Sequence, residues 1–144
     1  MLLMKPRITI ARISRISDKA HRFIIQELEK RGIYGIVPSH GGILSFLYSH
    51  ENITMKELAE KIHRSKPTIT VLVDKLVVLG YVLKEKSDTD SRVTYIRLTE
   101  QGKAFEKDFQ EISQSLNTKI FQGISEAEMN VVDPILEKIM HNLS

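Results

Sequence analysis

The sequence contains no cysteine. Disulfides, thiolate zinc sites, iron–sulfur clusters and thiol-based redox switches are therefore excluded. Long apolar runs are also missing, and nothing approaches the roughly eighteen continuous apolar residues of a membrane span. The apolar stretch Met1–Met4 stops at Lys5 and Pro6, too short for a signal-peptide core. We expect a cytoplasmic protein with no membrane partner. There are no paired carboxylates in an apolar setting, no glycine-rich phosphate loop and no nucleophile beside a base, so we do not expect an enzyme. His21, His40, His50, His63 and His141 form no close His-x-x-His or His-x-x-x-His pair. Neither a metal site nor a cofactor is expected.

What is present suits a globular chain. Its 144 residues are 42% hydrophobic and carry a net charge of +3, which fits one domain over 1–144. The charge is unevenly spread. Met1 to Arg31 holds eight Lys/Arg against three acids, and Ser125 to Ser144 holds four acids and one lysine. A basic end and an acidic end permit an anionic partner without demanding one.

Helical spacing of Ile13, Ile16, Ala20, Phe23, Ile24 and Leu28 predicts a first helix that Gly32 closes. A second helix is predicted from about His40 to His50, with Ser39 as its N-cap. After a short extended piece, Asn52 to Thr54, the run Thr54-Met55-Lys56-Glu57 fits a capping box opening a third helix. His63 to Ser65 form a turn. The next run, Lys66 to Leu79, is rich in β-branched residues, which favour strand. Its length, Pro67 near the start, Gly80 at the end and the spacing of Ile69, Leu72, Val73 and Leu76 argue for helix. Tyr81–Lys86 and Val93–Leu98 read as strands of a hairpin with the polar tip Ser87 to Arg92. Thr99 then caps a long helix with Phe105, Phe109, Ile112, Leu116 and Ile120 on one seam. A second capping box at Ser125 opens a last helix, which Pro134 should kink unless it lies near the start.

Helix, turn, helix, hairpin is the order of a winged helix-turn-helix. The fold expected is mainly α with a small β-hairpin wing, the reading head spanning about 39–99. Helices at about 8–31 and 100–143 would form a dimerisation layer. The second helix of such a head enters the DNA major groove N-terminus first, and here that end offers Arg64, Ser65, Lys66, Thr68 and Thr70. Hydroxyls would meet phosphates or base edges, and cations would neutralise phosphates. Arg92 at the tip would reach a minor groove. The residues alone leave open a winged-helix module that binds proteins rather than double-stranded DNA.

The sequence resembles the MarR (multiple antibiotic resistance regulator) family of transcription regulators. The carriers are Thr54-Met55-Lys56-Glu57-Leu58-Ala59, Thr68-Ile69-Thr70, Val73-Asp74-Lys75-Leu76 and Leu79-Gly80-Tyr81-Val82. The more specific ones are the tip Ser87-Asp88-Thr89-Asp90-Ser91-Arg92 and the following Leu98-Thr99-Glu100-Gln101-Gly102. The resemblance implies a homodimer, usually a repressor, on a pseudo-palindromic operator. It further implies that Asp90 braces the wing by pairing with a nearby arginine and that Arg92 enters the minor groove. Pro67 departs from the small residue often found there and removes a backbone donor.

Two further patterns bear on assembly and regulation. Arg12, Arg15, Lys19 and Arg22 form one basic stripe, and Glu126, Asp133 and Glu137 an acidic one. The stripes would oppose each other within or between subunits, lie as two solvated faces, or leave Arg12 or Arg15 to touch DNA backbone. Family resemblance also implies a small aromatic or amphipathic effector between dimer layer and reading head. Ile16, Ala20, His40, Ile43, Leu44, Phe105 and Phe109 are its candidate lining, and ordinary core packing is the competing role.

Overall fold

The computed structural model describes residues 8–144. Met1–Met4 and the first two cations thus lie outside the described residues. The elements are α1 (Ile8–Lys30), α2 (Ser39–Ser49), β1 (Ile53–Thr54), α3 (Met55–Ile62), α4 (Lys66–Val78), β2 (Val82–Lys86), β3 (Thr94–Leu98), α5 (Glu100–Ala104), α6 (Glu106–Ile120) and α7 (Glu126–Asn142). Among the described residues no helix is long and apolar enough to cross a membrane.

The expected hairpin forms from β2 and β3, and a third strand joins it. The strand order is β1-β3-β2, all antiparallel. The two residues of β1 join the outer edge of β3, with Ile53 opposite Ile96, and both side chains are buried. That cross-strand apolar pair supplies the reason for a strand too short to show in the sequence pattern. It also fixes the start of α3 against the base of the wing.

Helix ends show which local signals act. Thr54 Oγ1 accepts the Glu57 N–H at 3.1 Å, but among the described residues no bond returns from the Glu57 side chain, so only half of that capping box forms. Ser125 and Glu128 make the full box, and the carboxyl of Glu128 is held below its usual range by the bonds to Ser125. Ser39 is not a cap. It is already helical, behind Pro38, which makes no side-chain cap bond. The helix expected after Thr99 divides at Phe105, which keeps right-handed backbone between α5 and α6. Pro134 sits well inside α7 rather than near its start, where it lacks the N–H for one helical bond.

The core gathers around the middle of the chain. Ile43 and Leu44 of α2, Leu58 of α3, Ile69, Val73 and Leu76 of α4, Val82 of β2 and Ile96 of β3 are all buried. The β-branched residues of α4 are tolerated as helix because three of its four inward positions sit in this core, and burial outweighs propensity. Arg31, just beyond α1, bonds Asp108 and Glu111 of α6 at 2.7 Å each, fastening α1 to α6. Those two carboxylates raise the Arg31 pKa further.

Gly102 explains the Leu-Thr-x-x-Gly segment after the wing. A Cβ there would stand 2.0 Å from the Tyr81 carbonyl oxygen, so only glycine fits. Thr99 uses its hydroxyl twice, accepting the Gly102 N–H and donating to the Gly80 carbonyl. Its own N–H donates to Tyr81. The Tyr48 hydroxyl closes the joint by donating to the Gly102 carbonyl at 2.9 Å, and burial raises that phenol above its usual pKa.

Candidate nucleic-acid interface

The turn from α3 to α4 is set by His63, whose backbone is left-handed at φ 56°, and by Ser65. Ser65 Oγ accepts the Thr68 N–H at 3.3 Å and bonds Thr68 Oγ1 at 2.8 Å. Thr70 Oγ1 donates to the Lys66 carbonyl at 2.8 Å. These residues, predicted as groove contacts, therefore have hydroxyls already engaged in building the helix start. Arg64, Ser65, Lys66 and Thr68 are exposed, and Thr70 is half-buried. Among the described residues neither Arg64 nor Lys66 takes part in an ion pair, whereas Asp74 on the same helix bonds Lys84 of β2.

At the wing tip Ser87 Oγ accepts the N–H groups of Thr89 and Asp90, and Val93 N–H donates to the Asp90 carbonyl. The tip is thus a self-bonded turn. Asp90 Oδ1 accepts the backbone N–H and the Nε–H of Arg92, each at 3.0 Å, and Oδ2 accepts from Nη2 at 3.1 Å. The arginine beside Asp90 is Arg92 itself. Its guanidinium lowers the Asp90 pKa, and the carboxylate raises that of Arg92. The Arg92 side chain remains 89% exposed, and Nη1 is left available. Asp90 therefore orients the cation without hiding it.

A second feature lies away from this surface. A cavity of about 210 Å³ opens between α1, the loop before α2, and α6. Leu44, Phe105 and Phe109 line it, with Ile24, Leu28, Ile36, Ile112, Leu116 and Ile120, and its polar groups include Ser113 and Asn117. Ile16, Ala20, His40 and Ile43 are not in its wall. Ile16 is exposed on α1, Ala20 is half-buried, and Ile43 and His40 are buried in the core. Gly41 adds to the lining. The apolar seams of the first helix and of α6 were each visible in the sequence; that they face each other across a gap was not.

Among the described residues His40 is the one buried polar side chain of the core, 1% exposed. Its Nδ1 accepts the Val37 N–H at 3.0 Å, so the proton of the neutral ring sits on Nε2, which has no partner. Burial, and then the nearby positive charge of Lys75, hold its pKa below the ordinary value. Among the described residues no group of three or more His, Asp or Glu side chains is placed to hold a metal ion.

The opposed basic and acidic stripes do not meet within the chain. Among the described residues no ion pair joins Arg12, Arg15, Lys19 or Arg22 to Glu126, Asp133 or Glu137. α7 buries no residue, and Val131, Ile135 and Met140 on it and Leu143 just beyond it are exposed, as are Ile8, Ile10, Ile13 and Ile16 on α1.

Two helices joined by a tight turn, with a three-stranded sheet carrying an arginine-tipped wing, define a winged helix-turn-helix. A MarR family model matches residues 34–93. The HTH-type transcriptional regulator MhqR of Bacillus subtilis is 25% identical over 125 residues, covering 86% of each chain. A MarR transcriptional regulator from Methanosarcina mazei superimposes with a TM-score of 0.76 at 26% identity, over 92% of this chain and 93% of that one. The Staphylococcus aureus MepR–DNA complex shares the fold at a TM-score of 0.84 and 23% identity, over 96% of this chain and 99% of that one. In sequence and fold the chain is similar to the MarR family of transcription regulators. Members of that family are transcription regulators, not enzymes.

Proposed function

We propose that this chain is a sequence-specific DNA-binding regulator that acts as a homodimer on a pseudo-palindromic operator, as a ligand-responsive repressor. The observation that carries this is electrostatic and geometric: Arg64 and Lys66 stand unpaired at the exposed start of α4, and Asp90 holds Arg92 outward at the wing tip. The first pair suits a major groove with its flanking phosphates, together with Ser65, Thr68 and Thr70, and the second an adjacent minor groove. MepR, which shares the fold, was solved with DNA.

Residues 1–144 act as one domain in this proposal, with the reading head at about 39–99. Dimerisation falls to about 8–31 and 100–143, where the apolar residues of α1 and α7 lie exposed in a single chain. Exposed apolar residues repeated along two helices are costly to leave in water and fit a second copy. The cavity lined by Leu44, Phe105 and Phe109 would take the small aromatic or amphipathic effector.

The test is selection of fragments bound from the source genome, followed by band shifts at low salt. Recovery of a palindromic sequence is expected. Absence of any bound fragment would refute the proposal and leave a protein-interaction module in its place.

A further inference from the structure

Base readout by hydrogen bonding favours a small set of side chains: Arg or Lys on guanine, Asn or Gln on adenine, Asp or Glu on cytosine. The helix α4, KPTITVLVDKLVV, contains no Arg, Asn or Gln. Its one acid, Asp74, is engaged by Lys84. The hydroxyls of Ser65, Thr68 and Thr70 are bonded within the helix start. Its lysines are Lys66 at the first residue and Lys75 in the third turn, and between them the outward face carries the apolar Pro67 and Val71. Pro67, Val71, Asp74 and Val78 follow one another at four, three and four residues on the side away from buried Ile69, Val73 and Leu76. Val71 is 69% exposed.

We infer that Val71, with Pro67 beside it, reads thymine methyl groups, so that specificity in the major groove rests on apolar contact rather than on bidentate hydrogen bonds. This rests on the DNA-binding function proposed above. The occupant is fixed by what flanks the pair. Arg64 and Lys66 precede it on the same exposed end and would sit on phosphates either side of the groove. The helix therefore enters by its first two turns, which include Val71 and exclude Val78. Of the four natural bases only thymine carries a methyl group in the major groove. Pro67 belongs to the same surface: it has no N–H to give a phosphate, but its ring extends the apolar face.

The test uses the full chain and the selected operator, with each thymine replaced singly by deoxyuridine. This deletes one methyl and keeps every hydrogen-bonding group. Binding is expected to weaken about fourfold at one or two positions in each half-site, the effect of one buried methyl. With Val71→Ala, an exposed change to a better helix former, the same replacements are expected to have almost no effect while binding to phosphate persists. Operator binding that is indifferent to every uracil overturns the inference and leaves DNA binding intact. Sensitivity that survives unchanged in Val71→Ala overturns the assignment to Val71. Failure to bind any DNA removes the underlying function as well.

Discussion

The reading head and the flanking helices satisfy their apolar residues in different ways. Between α2 and β3 the inward side chains are buried within one chain, and the joint at Thr99 and Gly102 is fully hydrogen-bonded. In α7 no residue is buried, although valines, isoleucines, leucine and methionine repeat along it. Leu28 of α1 and Phe105 and Ile112 near and in α6 join the same core. The last helix leaves its apolar residues exposed in a single chain. A regulator of this design can keep a rigid reading unit and let assembly set the spacing between two of them.

The contrast breaks most severely at Gly102. Gly102→Ala places a methyl against the Tyr81 carbonyl and is expected to destabilise the head by about 3 kcal/mol, seen as a fall of about 10 °C in thermal midpoint. An unchanged midpoint would mean that the joint is more pliable than its geometry.

The flank should fail differently. Val131→Glu with Ile135→Glu keeps good helix formers on α7 but charges its exposed face. Sedimentation is expected to show monomers with unaltered helical content. Operator binding should weaken about a hundredfold, because the second head loses its tether. A stable dimer in this variant would place the interface elsewhere.

Within the head, the wing separates bracing from charge. Arg92→Ala is expected to weaken operator binding about tenfold and leave thermal stability untouched, since the side chain is exposed. Asp90→Asn removes a negative charge, which simple attraction to DNA would reward. Bracing requires the opposite: binding several-fold weaker, because Arg92 loses the carboxylate that orients it. Anisotropy titrations of both variants decide between the two.

Much of this was legible beforehand, for identifiable reasons. Pro67 and Gly80 bounded α4 as a helix against its β-branched content, and capping residues marked Thr99 and Ser125. The wing tip stood out because turn chemistry is local. What stayed hidden depended on distant segments meeting. Two residues cannot announce a strand, so the pairing of β1 with β3 was invisible. Four of the seven proposed cavity residues fell elsewhere because helical spacing identifies an inward face but not what lies opposite. His40 was flagged as lining, and instead it is locked in the core by the Val37 N–H.

That lock gives the smallest expected effect. The folded chain holds His40 neutral, below its ordinary pKa of 6.5. As pH falls below about 6.5 the unfolded chain binds the proton first. Stability is therefore full above that value and declines as pH drops through the range beneath it. Denaturant unfolding at several pH values from 7.5 to 5 should show this decline, and His40→Gln should flatten it. An equal slope in the variant would assign the effect to other groups.

The most direct test of the whole account is the salt dependence of dimer binding to its selected operator. Arg64, Lys66 and Arg92 from each of two heads would displace counterions, so the logarithm of the binding constant is expected to fall linearly with the logarithm of salt, with a slope of about −5. Arg92→Ala should make that slope shallower by about 2, one cation lost from each head. A slope near zero, or one that Arg92→Ala leaves unchanged, would contradict the placement of these cations on DNA.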